Sequence, residues 1–261
     1  MNEQSIEAAA RLVWDTWQSG GKVREIPQAH RPGSRVEGYQ VQARVAKLSA
    51  QGLFGWKIAA TSVAGQKHIG VDGPLAGRLL SKRAFDSGAT VSLANNIMKV
   101  AEAEFAFRMA RDLPPKPQPY TVEEVLAAVD TLHPAIEIPD SRYEEFAKVG
   151  APQLIADCAC ACYFVLGAPT VADWRRMDLV EHPVKAWVDG RLAREGKGAN
   201  VLGDPRVALA WIANELSLAG DMLRAGQVVT TGTCVVPVEI AGGNHVVADF
   251  GAIGSVEARL A

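Results

Sequence analysis

The chain has 261 residues, 48% hydrophobic and 21% charged, with 27 basic and 29 acidic side chains and a formal charge of −2. Such a composition builds a sizeable core in one large domain and excludes a disordered chain; near-neutral charge without a basic stripe argues against a nucleic-acid partner. The start, Met1-Asn2-Glu3-Gln4-Ser5, carries no basic-then-apolar leader, and no apolar run approaches the ~18 residues of a membrane span. A cytoplasmic protein without membrane contact is expected.

Ile6 to Trp17 places apolar side chains at helical spacing up to Gly20-Gly21. After the loop Pro27 to Gly33, a second helix is expected from about Val36 to Ala50. Residues 1–52 thus read as an N-terminal helical segment, and 53–261 as one continuous β-rich unit. Gly55 to Ala60 reads as a strand, with Lys57 on the face opposite Trp56 and Ile58. A lysine in such a place usually reaches outward to water. Turned instead into a cleft, it would lose hydration, and its lowered pKa would make it a usable acid/base. Gly70 to Gly77 looks loop-like, and Leu79-Leu80-Ser81-Lys82-Arg83 ends in two positive charges.

Val100-Ala101-Glu102-Ala103-Glu104-Phe105-Ala106-Phe107 alternates, so a strand puts Glu102 and Glu104 on one face and Ala103, Phe105 and Phe107 on the other. On a helix the two carboxylates would diverge by about 200°. Glu137, between Ile136 and Ile138, supplies a third carboxylate on a short strand-like run. Three hard oxygen donors suit Mg²⁺, Mn²⁺ or Ca²⁺ rather than zinc; the alternative is three solvated charges on the wet face of a sheet.

Between these segments, the proline-rich 112–119 stretch precedes a helix expected over Thr121 to Asp130, opened by a Thr121/Glu124 capping box and stopped by His133-Pro134. Asp157 to Leu166 reads as a buried strand carrying Cys158, Cys160 and Cys162 on one face as small apolar residues; Cys234 stands alone. Asp189-Gly190 marks a hairpin after Val184 to Val188, and Gly196 to Asn200 a loop over a cleft, without the spacing of a phosphate loop. Asp204-Pro205 starts a helix through Leu218, followed by strands at Gln227 to Thr231, Val235 to Ile240, Val246 to Phe250 and Ser255 to Leu260. The sum favours an α+β fold with a mainly β core. The five histidines, His30, His68, His133, His182 and His245, show no metal-site spacing and read as surface or loop residues.

Several segments in order resemble one family: Gly55-Trp56-Lys57-Ile58-Ala59-Ala60-Thr61-Ser62, Gly70-Val71-Asp72-Gly73-Pro74, Glu102-Ala103-Glu104 and Pro134-Ala135-Ile136-Glu137-Ile138. Ala156-Asp157, Leu202-Gly203-Asp204-Pro205, the 226–232 run and the 250–256 run follow in register. The chain is similar to the 2-keto-4-pentenoate hydratase and 4-oxalocrotonate decarboxylase branch of the fumarylacetoacetate hydrolase superfamily. That resemblance implies a fumarylacetoacetase-like mixed β-sandwich or roll with N-terminal helices, assembled as a homo-oligomer. It further implies Mg²⁺ or Mn²⁺ at Glu102, Glu104 and Glu137, with Lys57 at the catalytic lysine's position. The expected activity is a hydratase for a 2-hydroxy-2,4-dienoate or its 2-oxo-enoate form in aromatic ring-cleavage catabolism. Thr231 and Gly232 are candidates for holding a substrate carboxylate, and Arg142 is an anion partner or a surface pair with Asp140.

Three positions depart from the family pattern. Lys82 stands where an acid/base aspartate is expected, with Arg83 beside it; Leu75-Ala76 replaces an acidic–aromatic pair after Pro74; and Cys158 follows Asp157 in place of asparagine. These departures keep open a 4-oxalocrotonate-type decarboxylase, or a more acidic substrate attracted by Lys82 and Arg83. They also keep open a non-catalytic partner subunit of a lyase. An acylpyruvate hydrolase would require a water-activating histidine, for which His30 is the nearby candidate.

Overall fold

The computed structural model describes residues 1–261. Two helices open the chain, α1 (Glu3–Ser19) and α2 (Arg35–Ser49). Asn2 and Ser34 cap them by accepting from the Ser5 and Glu37 backbone N–H, and Gly20 ends α1 in the left-handed region that glycine tolerates. They are not a detached unit. Val13, Val41 and Val45 share an apolar cluster with Leu79, Ala106, Ala135 and Phe164 from the strands behind them.

The strands in order are β1 (Leu53–Ala59), β2 (Leu75–Leu80), β3 (Ala84–Asp86), β4 (Thr90–Val91), β5 (Val100–Met109), β6 (Val129–Ile138) and β7 (Tyr163–Leu166). β8 (Pro183–Val188), β9 (Arg191–Lys197), β10 (Val228–Thr233), β11 (Val238–Glu239), β12 (His245–Asp249) and β13 (Ser255–Leu260) complete them. The larger sheet runs β2-β1-β10-β5-β6-β7-β3, with β11 also on β5; the smaller runs β4-β13-β12-β8-β9 and packs on β5, β6 and β7. Four further helices decorate this core: α3 (Val63–Ile69), α4 (Val122–Leu126), α5 (Ala151–Ala156) and α6 (Pro205–Leu218). The expected mixed fold with N-terminal helices is observed.

Several local expectations are corrected. The capping box at Thr121 forms, but the helix stops at Leu126 because Val129 joins β6 opposite Met109. Strand pairing in the sheet centre overrides the helical stripe. β6 then runs through His133-Pro134, with Pro134 opposite Phe105, so this pair does not break the strand. Gly70 to Gly77 is not all loop: α3 precedes it and β2 begins at Leu75. Within Val235 to Ile240 only Val238–Glu239 is strand, and His133 and His182 are buried rather than at the surface.

The cysteine run is also not a strand. α5 ends before Asp157, and Cys158, Ala159 and Cys160 form a tight turn with φ of 51°, 49° and 64°. All four cysteines are buried and free, as small core residues. The turn packs on Gly77: a Cβ there would lie 2.0 Å from the Cys158 carbonyl oxygen, so only glycine lets β2 and the turn meet.

Candidate metal and substrate site

Sheet register assembles the site. Across β5 and β6, Glu102 lies directly opposite Glu137. Across β5 and β10, Glu104 is paired with Thr233 beyond an irregularity after Thr230. On the far side of β10, Lys57 is opposite Thr230 in the parallel β1 pair and opposite Gly77 on β2. One oxygen from each of Glu102, Glu104 and Glu137 lies within 4.8 Å of the others. Glu104 and Glu137 are fully buried, while Glu102 is half-buried and reaches the cavity above.

Glu104 is fixed from one side. Its Oε2 accepts from the Gly232 N–H at 2.7 Å and from the Thr230 hydroxyl. Gly232 has φ +102°, and a Cβ there would lie 2.1 Å from Thr61 Oγ1, so the close approach requires glycine. Glu104 Oε1 and both oxygens of Glu137 receive no hydrogen bond. Lys57, only 3% exposed, is turned inward and not out to water. Its Nζ stands 3.0 Å from Glu137 Oε1 as an ion pair outside hydrogen-bond angles, and donates to the Ala159 carbonyl at 3.0 Å.

Burial pushes all three carboxyl pKa values up. Mutual repulsion adds to this at Glu104, which rises well above the ordinary range, and at Glu137, pushed up to about 7 with Lys57 opposing. Burial opposes the Lys57 ammonium, but Glu137, Glu102 and Glu104 together outweigh it, and its pKa rises instead of falling as expected from desolvation alone. Three carboxylates against one ammonium would leave a formal −2 in a buried site. A divalent cation neutralises that charge and takes up the orphaned oxygens, so the residues present fit a Mg²⁺-class ion.

Above the carboxylates lies a cavity of about 690 Å³, lined by Lys57, Glu102 and Gly232 at the charged end and mostly by apolar side chains elsewhere. Asn200 reaches its wall from the turn at Gly198–Asn200, where the sequence places a loop over a cleft.

Other sequence candidates are not brought here. Thr231 is buried on the opposite face, its hydroxyl donating to the Phe105 carbonyl at 3.1 Å. Lys82 is exposed on the turn Ser81–Arg83 and does not line the cavity. Arg142 is fully buried and is not a surface partner of Asp140: it pairs with the Asp157 carboxylate and donates to the carbonyls of Asp140 and Ala161 at 2.9 and 2.8 Å. His30 lies beside Ser5, away from the cavity wall. Three supports escaped sequence reasoning: the Gly232 N–H, the Thr230 hydroxyl and the Ala159 carbonyl. The first two had a legible signal, since strand alternation puts Thr230 and Gly232 on one face of β10. The third had none, because a left-handed turn without glycine has no local signature.

Residues 80–261 match the fumarylacetoacetate (FAA) hydrolase C-terminal family. A 2-keto-4-pentenoate hydratase of Burkholderia vietnamiensis (strain G4 / LMG 22486) is 31% identical over 99% of this chain and 98% of its own length. A 4-oxalocrotonate decarboxylase of Pseudomonas putida is 27% identical over 100% and 98%. The solved structure of the 4-oxalocrotonate decarboxylase from Pseudomonas putida G7, complexed with magnesium and adipate, superposes with a TM-score of 0.90 at 26% identity, covering 100% of this chain and 99% of that one. By its matched residues and these full-length relatives, the chain belongs to the fumarylacetoacetate hydrolase family.

Proposed function

We propose that this protein is a divalent-metal-dependent hydro-lyase acting on a 2-hydroxy-2,4-dienoate or its 2-oxo-enoate tautomer from aromatic ring cleavage. One observation carries the reading: three carboxylates, two of them fully buried, converge with orphaned oxygens beneath an apolar cavity, beside one buried lysine. Hydratase relatives matched over their full length support the substrate class.

Glu102, Glu104 and Glu137 would hold Mg²⁺ or Mn²⁺, and a bound ion supplies Lewis-acid stabilisation of negative charge on the C2 oxygen of a 2-oxo acid. The protein's own residues do the rest. Gly232 N–H and Thr230 hold Glu104 in its rotamer, as supporting hydrogen bonds do around metal ligands. Lys57, its Nζ 3.0 Å from Glu137 Oε1 and on the cavity lining, is placed to move the proton: one passes from the ammonium Nζ to C5 of the dienol, and the C2 hydroxyl proton returns to the amine. The resulting enone accepts water at C4. Apolar walls flank the reacting carbons, and the exposed mouth admits the water. Four free, buried cysteines suit the reducing cytoplasm, and a homo-oligomer is the assembly the family resemblance implies.

A decarboxylase reading rests on one observation: Leu75, an apolar residue, lines the cavity where family members often carry an acidic one, which leaves one acid/base group fewer for adding water. Steady-state assays with 2-hydroxypenta-2,4-dienoate and with 4-oxalocrotonate, with Mg²⁺ and with EDTA, separate the two. Mg²⁺-dependent consumption of the dienoate supports the hydratase. Carbon dioxide release from 4-oxalocrotonate alone supports the decarboxylase. Turnover of either substrate undiminished by EDTA removes the metal site from the mechanism.

A further inference from the structure

The two ends of the cavity differ in exposure and in chemistry. Lys57, Ala159, Cys160 and Glu102 form its floor, whereas Ala64, His68 and Val236 are exposed at its mouth. Between them the wall is apolar, with Ile58, Leu75, Met98, Leu154 and Phe146. No arginine lines the cavity, and its one lysine is already committed to Glu137 and the Ala159 carbonyl. Most polar wall groups are occupied too, and the Thr61 hydroxyl beside Gly232 is uncharged. The Asn200 amide donates to the Cys234 carbonyl at 2.7 Å, the Thr233 hydroxyl to the Val235 carbonyl at 2.7 Å, and Ser62 caps α3. At the mouth, His68 is the one ionisable group, its ring edge-on to Phe146 at 6.1 Å between centroids.

Resting on the function assigned above, we propose that the substrate is a monocarboxylate whose far end is a bulky uncharged alkyl or aryl tail. A second carboxylate along this wall would be desolvated among aliphatic side chains with neither an arginine nor a free lysine to pair it, His68 standing only at the exposed mouth. Size points the same way. At about 690 Å³ the cavity falls in the range of roughly 300–1,000 Å³ that encloses drug-sized ligands, far more than a five-carbon acid fills. Lys82 and Arg83 cannot recruit a diacid here, because their turn lies outside the wall.

The test is calorimetric binding to the full-length protein in saturating Mg²⁺, using oxalate, pyruvate, 2-oxohexanoate, 4-phenyl-2-oxobutanoate and 2-oxoadipate. Affinity is expected to rise with tail size, 4-phenyl-2-oxobutanoate binding roughly tenfold or more tighter than pyruvate. 2-Oxohexanoate should exceed 2-oxoadipate by about tenfold or more. Val236→Arg, which adds a cation at the mouth, should narrow that second gap. Equal affinity for 2-oxoadipate and 2-oxohexanoate, a flat response to tail size, or a gap untouched by Val236→Arg overturns the proposal while leaving metal-dependent 2-oxo acid binding intact. If oxalate and pyruvate themselves bind no better with Mg²⁺ than without it, the functional reading fails, and the tail preference with it.

Discussion

Two groups of buried charges flank the Cys158–Cys160 turn, and they are built on opposite principles. Arg142 and Asp157 are one plus and one minus. The Asp157 carboxylate accepts from Arg142, from the Ser141 hydroxyl at 2.7 Å and from the Arg142 backbone N–H at 3.1 Å, while the guanidinium also donates to backbone carbonyls and stacks over Trp17 at 4.0 Å. That pair is closed. The Lys57 cluster has three carboxylates for one ammonium and three carboxylate oxygens without a hydrogen bond. Since a buried charge is tolerated only when compensated, the first group reads as internal support and the second as a set of donors able to hold a cation. One turn serves both, giving the Ala159 carbonyl to Lys57 and the Ala161 carbonyl to Arg142.

The contrast can be broken by mutation. Lys57→Ala is expected to lower turnover by about 10²–10⁴-fold, as loss of a proton-transfer group does, while Mg²⁺ affinity by calorimetry stays within a few-fold. A near-normal rate would remove Lys57 from the chemistry. Arg142→Leu leaves Asp157 charged and buried, and should lower the free energy of unfolding by about 3–5 kcal/mol in a urea titration. Folded Arg142→Leu protein should still bind Mg²⁺. If the variant instead loses Mg²⁺ binding but not stability, the roles of the two groups have been reversed.

Smaller effects sharpen the same comparison. Mg²⁺ at 100 times its Kd should stabilise the wild-type protein by about 2.7 kcal/mol, read as a rise in Tm. Glu104→Gln should abolish that rise. In EDTA the same variant should melt at or above the wild-type temperature, because it removes repulsion, the sign opposite to Arg142→Leu. A lower Tm in EDTA would mean that the carboxylates are already compensated.

The smallest effect concerns His133, on the strand that carries Glu137. Burial lowers its pKa, with Arg108 adding to the shift and the Gly167 carbonyl opposing it. The unfolded chain therefore binds the proton more readily, so His133 leaves stability intact above its ordinary pKa of about 6.5 and lowers it as pH falls below that. His133→Gln should flatten the loss of stability between about pH 7 and pH 5 in urea titrations; an unchanged slope would exclude this histidine as a cause.

Much of this was open to inspection in the chain itself. The alternation of 100–107 put Glu102 and Glu104 on one face, caps at Thr121 and Asp204 located helix starts, and Asp189-Gly190 located a hairpin that forms with φ of 51° and 74°. Such signals are local: a two-residue period, a side chain one turn from its partner, a turn that demands positive φ. The ordered motifs around Lys57 and Glu137 extended that reading to the family.

Tertiary structure decided the rest. Whether Lys57 faced water or a cleft depended on β1 lying between β10 and β2, with a turn from a hundred residues later closing over it. Pairing with β5 cut the Thr121 helix short, and left-handed turn geometry, invisible in Cys-Ala-Cys, shortened the strand expected from Asp157 to Tyr163–Leu166. Lys82 and Arg142 carry the right charge for an anion, but one faces solvent and the other a private carboxylate. Residue type and spacing establish what chemistry a side chain can do; the partners it meets, and hence whether its charge is spent or available, are set by contacts between segments distant in sequence.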